Sequence, residues 1–289
     1  MALVIAALLT PGFLSRPSLA ALMSAASIVG CAAIGMSFVT ISGNVMSFSL
    51  GVTASATSIV FMAALAFGLI PALLAALAFG AALTAAQGFV VGWLRANPII
   101  VSMAAFALIL GASEQLVGAK IDAPNESYVF LKGRVATVPI GFLVFLVAIV
   151  VGQAILGATT LGHHIRLVGS NRRAAQAAGV DVSWTVTAAY ALSGAFTALA
   201  GILLAIRYDS GDMEAGSGYE YQAIAAVLAG GIAIGGGKGS IWRALLGVLA
   251  IAVMNAVVLL HGFNLNAQRL VVGLAVLLVV MLQALQSRR

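Results

Sequence analysis

The sequence predicts an all-α, polytopic membrane protein of about ten transmembrane helices, some of them short or broken. Three observations lead there. Only 8% of the 289 residues are charged while 62% are hydrophobic, against about 25% charged in a soluble domain. So few charges cannot cover a core of this size, and lipid is therefore the solvent for most of the chain. The mean hydropathy of +1.14 agrees. Polar interruptions divide the chain into apolar segments, most of them near the length that crosses a bilayer. Glycine, at 32 residues against 6 prolines, has the usage of helices that approach closely in membranes.

In chain order the segments are roughly 1–14, 20–41, 50–67, 69–94, 98–113, 138–158, 182–206, 221–236, 242–260 and 269–286. The first lacks the basic start of a cleavable signal peptide. It is also short for a span, as for a helix truncated at its start or one that begins at the bilayer edge. The second holds Cys31, the single cysteine, so no intrachain disulfide is available. Segments 98–113 and 221–236 are short, like the broken or re-entrant helices found beside transport paths. No tandem repeat is visible, and the whole of 1–289 reads as one domain. The longest polar stretches, 113–137 and 159–181, are too small for a nucleotide-hydrolysing domain, which would be a separate chain.

The net charge of +6 does not indicate nucleic acid, because the basic residues sit singly in short loops. Loop parity puts Arg95, Arg166, Arg172, Arg173, Lys238, Arg243, Arg288 and Arg289 on one side. Arg16, Lys120, Lys132, Arg134, Arg207 and Arg269 fall on the other. Long loops translocate largely regardless of charge, so the three basic residues of 113–137 carry little weight. The first side, with both termini, is expected in the cytoplasm. Seven of the eight acidic residues then lie outside, Asp181 excepted.

The cytoplasmic stretch Leu161–Val182 reads LGHHIRLVGSNRRAAQAAGVDV. Ser170 or Asn171 can cap a helix N-terminus by accepting free backbone N–H groups. Arg172 through Ala178 are good helix formers, and Gly179 can stop the helix in a left-handed conformation. A helix of about two turns outside the membrane follows. Its alanine face could seat in a partner's groove while its arginines grip acidic groups. A positively charged topology loop with a small amphipathic turn fits the same residues.

Here the sequence resembles a known family. GSNRRAAQAAGV, then YALSGAFTALAG at 190–201, GSGYEYQAIAAVLAGG and GGGKGSIW are similar, in order and spacing, to the ribose-type (monosaccharide) permeases of ABC importers. PGFLSRPSL, IGMSFVTISG and NPIIVSMA extend the likeness across most of the chain. The resemblance implies an inner-membrane permease of ten helices that forms a homo- or heterodimer with a second permease subunit. It also implies cytoplasmic ATP-binding subunits and an extracytoplasmic solute-binding protein, with no cofactor in this chain. Asn171–Ala178 would be the coupling helix that docks on the ATPase. Gly169, Ser170, Asn171, Arg172, Arg173, Ala174, Ala175, Ala178 and Gly179 are the residues expected there.

One departure stands out. The family usually has Gly-Gly-Ile-Asp-Leu-Ser-Val-Gly after its second helix, whereas this chain has SGNVMSFS at 42–49. Val45 occupies the aspartate's place, and Gly43 and Ser47 remain. An intramembrane aspartate is costly and usually functional. Its absence fits a partner permease that retains it, a less typical substrate, or Asn44 supplying equivalent hydrogen bonds.

The remaining motifs have plainer readings. Gly235-Gly236-Gly237-Lys238-Gly239-Ser240 is not a phosphate loop, because Ile232 and Gly239 stand where Gly and Ser or Thr are needed. It reads as a tight connection between packed helices. The pairs Gly88/Gly92 and Gly231/Gly235 have the spacing of close helix contacts. Asp209, Asp212, Glu214 and Glu220 make 207–220 a solvated acidic loop or a docking surface. His163, His164 and His261 lack metal-binding spacing. A neutral polyol would need hydroxyl and amide groups along its path, and Asn44, Ser47, Asn97, Ser102 and Asn255 are the candidates. Two other classes of protein carry their own requirements. A secondary transporter of small neutral solutes often carries intramembrane carboxylates, which are scarce here. An intramembrane serine protease would need Ser193 and His261 within hydrogen-bond reach.

Overall fold

The computed structural model describes residues 15–118, 120–135 and 137–262, with Phe13 and single residues within 270–281. The expected segment 1–14 and most of 269–286 lie outside the described residues. Among the described residues, seven helices are long and apolar enough to cross a membrane. They are α1 (Arg16–Ile41), α2 (Leu50–Ala64, continued by a 3₁₀ turn to Phe67), α3 (Leu69–Trp93), α4 (Pro98–Leu116), α5 (Ile140–Ala158), α8 (Val182–Tyr208) and α10 (Ile241–Leu260). Three shorter helices are α6 (Thr160–Ser170), α7 (Arg172–Ala177) and α9 (Tyr219–Ala229).

Local chemistry sets several boundaries. Ser15 caps α1 by accepting from the Ser18 N–H, with Pro17 in the first turn, where a missing N–H costs nothing. Asn97 and Pro98 start α4 in the same way. Asp181 caps α8 by accepting from the Trp184 N–H. Segment 98–113 is therefore not short: α4 runs 19 residues to Leu116.

α8 and α1 form the centre, most of their residues buried, and α3 packs along α8. Backbone meets backbone at the crossing. A Cβ on Gly194 of α8 would stand 2.0 Å from the Gly80 carbonyl oxygen of α3. Gly88 and Gly92 of α3 face Tyr190 and Ser183 at similarly close range, as their spacing predicted. Gly231 and Gly235 do not: both lie past the end of α9 and a Cβ there would meet nothing. Such a spacing matters only inside a helix.

The fold is not purely helical. β1 (Lys120–Asp122) pairs antiparallel with β4 (Ser210–Asp212), and β2 (Arg134–Val135) pairs with β3 (Val138–Pro139). β2 and β3 form a local hairpin before α5, whereas the β1–β4 ladder ties Lys120–Asp122 to the segment that follows α8. Asp209 there takes a left-handed conformation (φ 58°) and accepts from the Tyr128 hydroxyl at 2.6 Å while pairing with Lys132.

The acidic stretch 207–220 is not simply a solvated loop. Ser210, Gly211, Met213 and Gly216 are buried, and the segment runs down α2. Gly211 lies against Ile59 and Gly216 against Gly51, while the Gly216 N–H donates to Ser55 Oγ. The depth reached follows from α8. Gly201 packs on Ala54 and lies seven residues, about 10 Å, before Tyr208; Leu50 is about 6 Å deeper still. α2 therefore begins near the middle of α8, and α9 begins beside it. At 11 residues α9 is about 16 Å long and cannot cross a membrane.

Candidate functional site

Two regions gather the polar groups. At one end, α6 and α7 form an elbow. The Thr159 side chain caps α6 by accepting from the Gly162 N–H, and α6 ends at Asn171. The Asn171 Oδ1 then accepts from the N–H groups of Arg173 and Ala174, at 3.1 and 3.0 Å, which starts α7. The Gly179 N–H donates to the Gln176 carbonyl and the Val180 N–H to that of Ala175, with Gly179 at φ 82°. The capped helix stopped by glycine is thus present, at six residues. The helix over 160–170 was not expected; its apolar Ile165 and Val168 point inward.

Ala175 is a correction. Expected on a face offered to a partner, it is 3% exposed and packs with Val39, Val91, Val168, Val180, Val186 and Tyr190. One turn of helix resting on the bundle must turn one face inward, and Ala175 is that face. Arg172, Arg173, Ala174, Gln176, Ala177 and Ala178 are exposed.

The elbow abuts two other segments. The Ile41 carbonyl accepts from the Gly237 N–H at 2.9 Å. Gly169 lies against the same carbonyl, and Gly236 packs on Gly43. The glycine run 235–240 is thus a tight connection between α9 and α10, seated between the end of α1 and the elbow. Among the described residues, basic side chains of the two sets lie at opposite ends. Arg172 lies near enough to Arg95 for repulsion between their charges, whereas Lys132, Arg134 and Arg207 share a groove at the far end.

The second region lies around the start of α2. The Asn44 amide donates to Ser42 Oγ at 2.8 Å. Ser47 and Ser49 hydroxyls are 3.1 Å apart, and Ser49 donates to Gln87 Oε1 of α3 at 2.7 Å. All are buried. The Gln87 Nε2 and the Thr53 hydroxyl have no partner among the described residues. Glu220, in the first turn of α9, is 7% exposed and accepts from the Gly218 N–H. A Cβ on Gly51 would lie 1.9 Å from its Oε2, so only glycine lets this carboxylate approach the start of α2. A negative charge is favoured there because the first N–H groups of a helix are unpaired. Glu220, expected in a solvated or docking outer loop, is instead buried at the start of α2. Gln87 and Glu220 were missed as site residues. Gln87 is the sole amide within α3, and a polar group inside a span is itself a functional signal.

The other pathway candidates are scattered. Asn97 is exposed and its side chain caps α4. Ser102 donates to the Ile99 carbonyl of its own helix. The Asn255 amide donates to Gln222 Oε1 at 3.1 Å, which joins α10 to α9. The protease pairing is not formed: Ser193 is buried facing Gly35 of α1, while His261 is exposed beyond α10 with Nδ1 at the Val257 carbonyl.

Seven spans, a half-length helix and a strand-led segment descending beside it define a multi-pass membrane transport protein. A family model described as "Branched-chain amino acid transport system / permease component" matches residues 18–281, and the chain belongs to that family. It is 30% identical over 290 residues to the ribose import permease protein RbsC of Bacillus subtilis, covering 98% of this chain and 90% of that one. It is 31% identical to the autoinducer 2 import system permease protein LsrC of an Enterobacter species, covering 95% and 81%. It is 36% identical over 165 residues to the Escherichia coli protein named "Probable ABC transporter permease protein YphD", covering 57% of this chain and half of that protein. No solved structure matches the chain.

Proposed function

We propose that this chain is the membrane-spanning subunit of an ABC importer for a monosaccharide or similarly small neutral solute, driven by ATP hydrolysis in separate cytoplasmic subunits. The likeness to sugar permeases along nearly the whole chain carries the reading. Seven spans, the half-helix α9 and the two terminal apolar segments make the ten membrane segments, in a single domain. The elbow end and both termini face the cytoplasm. There the exposed face of α7, with Arg172, Arg173, Ala174 and Ala178, docks on an ATPase subunit, and Asn171 and Gly179 hold its shape. Closure of the ATPases on ATP moves the elbow, and the movement passes to α1 and the 235–240 connection. Solute leaves its binding protein at the opposite end and passes the buried hydroxyl and amide groups around Ser47, Ser49 and Gln87. Hydroxyls and amides suit a polyol because they can both donate and accept.

The test is reconstitution with a candidate ATPase subunit and solute-binding protein of the same cell, followed by uptake of radiolabelled monosaccharides. ATP-dependent uptake of one of them is expected. Failure of the chain to retain an ATPase subunit on purification would end the proposal.

A further inference from the structure

The groove at the 113–137 end, between the start of α1 and the end of α8, points to a site that the transport reading does not use. We infer that it binds an anionic phospholipid, with the phosphate at Arg134 and Arg207 and an acyl chain lying along α1. The groove has a volume of about 390 Å³. Its rim carries three basic residues, Lys132, Arg134 and Arg207, and its floor is formed by Ala20 and Ile28 of α1 with Leu203 and Ile206 of α8. Lys132 is already paired with Asp209. Among the described residues Arg134 and Arg207 have no carboxylate partner, so two positive charges remain uncompensated at the mouth.

The placement selects the ligand. The rim sits where α1 and α5 begin and α8 ends, which is the level of the bilayer surface. From Pro17 to Ile28 the α1 wall runs eleven residues, about 16 Å, close to the depth of one hydrocarbon leaflet, half of about 30 Å. That wall is apolar apart from Ser24 and Ser27, whose hydroxyls donate to the Ala20 and Met23 carbonyls of their own helix. A soluble acid would use the rim and leave the floor empty, and an uncharged lipid would do the reverse. Basic residues at the mouth of a cleft between transmembrane helices suit an anionic headgroup, and long basic side chains reach the surface while their stems cover apolar area.

The test is native mass spectrometry of the purified full-length permease titrated with dioleoylphosphatidylglycerol, dioleoylphosphatidylcholine or inorganic phosphate. One saturable phosphatidylglycerol adduct is expected, with weaker phosphatidylcholine binding and no displacement by phosphate. The double variant Arg134→Gln/Arg207→Gln should bind phosphatidylglycerol roughly 25-fold more weakly, since each basic residue at an anionic surface is worth about fivefold. Arg243→Gln, at the opposite end, should bind as the parent does. Leu203→Trp fills the floor without touching charge and should also exclude the lipid. Unchanged binding in the double arginine variant or in Leu203→Trp overturns the proposal. Equal retention of phosphatidylcholine, or displacement by phosphate, overturns it too. High-yield cross-linking of Ala21→Cys between two copies, in a Cys31→Ser background, would make the groove a subunit seam and end the lipid assignment.

Discussion

Gly169 lies so close to Ile41 that a Cβ at position 169 would stand 1.9 Å from the Ile41 carbonyl oxygen. That oxygen also accepts from the Gly237 N–H, so three distant segments share one backbone atom. Gly169→Ala should therefore force them apart at a cost of about 1–3 kcal/mol, the usual range for overpacking. Solute-stimulated ATP hydrolysis of the assembled transporter should fall by more than half while the subunits still co-purify. Wild-type stimulation at normal abundance would show that the junction does not transmit movement.

The two faces of α7 make opposite predictions. Ala174→Glu alters the exposed face and should leave thermal stability within about 0.5 kcal/mol of the parent, while ATPase pull-down is lost. Ala175→Glu buries an unpaired charge among Val39, Val91 and Tyr190; it should cost several kcal/mol and reduce membrane abundance. Gly179→Val, at φ 82°, should cost about 1–2 kcal/mol by penalising the left-handed stop. Thermal scans beside pull-downs separate these outcomes. Retention of the ATPase by Ala174→Glu would remove the docking face.

Gln87 separates stability from function. Its Nε2 is buried without a partner among the described residues, and an unmade buried hydrogen bond costs about 1–3 kcal/mol. Gln87→Met also frees the Ser49 hydroxyl, so its melting temperature should stay close to wild type. Uptake should fall at least tenfold with the ATPase still bound. Full uptake across solute concentrations would make Gln87 a packing residue.

The pairing of Asp209 with Lys132 and Tyr128 predicts a pH window. The Lys132 hydrogen bond, and then that from Tyr128, hold the Asp209 carboxyl below the usual carboxylate range. Burial, and then Asp209, push the Tyr128 hydroxyl up to about 12. A lowered carboxyl stabilises the fold fully above its unfolded value, near 3.9, and the contribution is lost as pH falls through the lower native value. Protection of 119–137 from protease should stay level from neutral pH to about 5 and decline below about 4. Asp209→Asn should remove that decline and weaken the protection by under about 1 kcal/mol, because the pair is half exposed. An acid-induced decline of the same size in Asp209→Asn would assign it to another group.

Topology can be read directly. Ser170 and Ser127 are both exposed, at opposite ends, whereas Ser210 is buried by α2 and makes a poor probe. With Cys31 replaced, an impermeant thiol reagent added to intact cells should label Ser127→Cys and spare Ser170→Cys. The reverse pattern would invert the orientation.

What the sequence disclosed was what local rules govern. Spans are legible because hydropathy is a property of a continuous stretch, and the cap at Asn171 with the stop at Gly179 because both act within a few residues. The inward face of Ala175 was not, since six helical residues carry no usable periodicity and its neighbours Val39 and Val91 lie far off in the chain. The descent of 210–218 was also hidden. Ser and Gly compose both exposed loops and close backbone contacts, and only the partner helix α2 tells them apart. The half-helix α9 was legible as a short segment; the burial of Glu220 beside Gly51 required the fold.

The junction at Ile41 has a mechanical consequence. Gly43, Gly169 and Gly236 bring backbone against backbone there, with no side chain between them to change rotamer and absorb a displacement. A push on the elbow therefore arrives at α1 and at the tail of α9 with little slack, like a load on a dry bearing. Because α9 begins only halfway across, with its first turn against the start of α2, the stroke ends beside Gln87, not at the far surface.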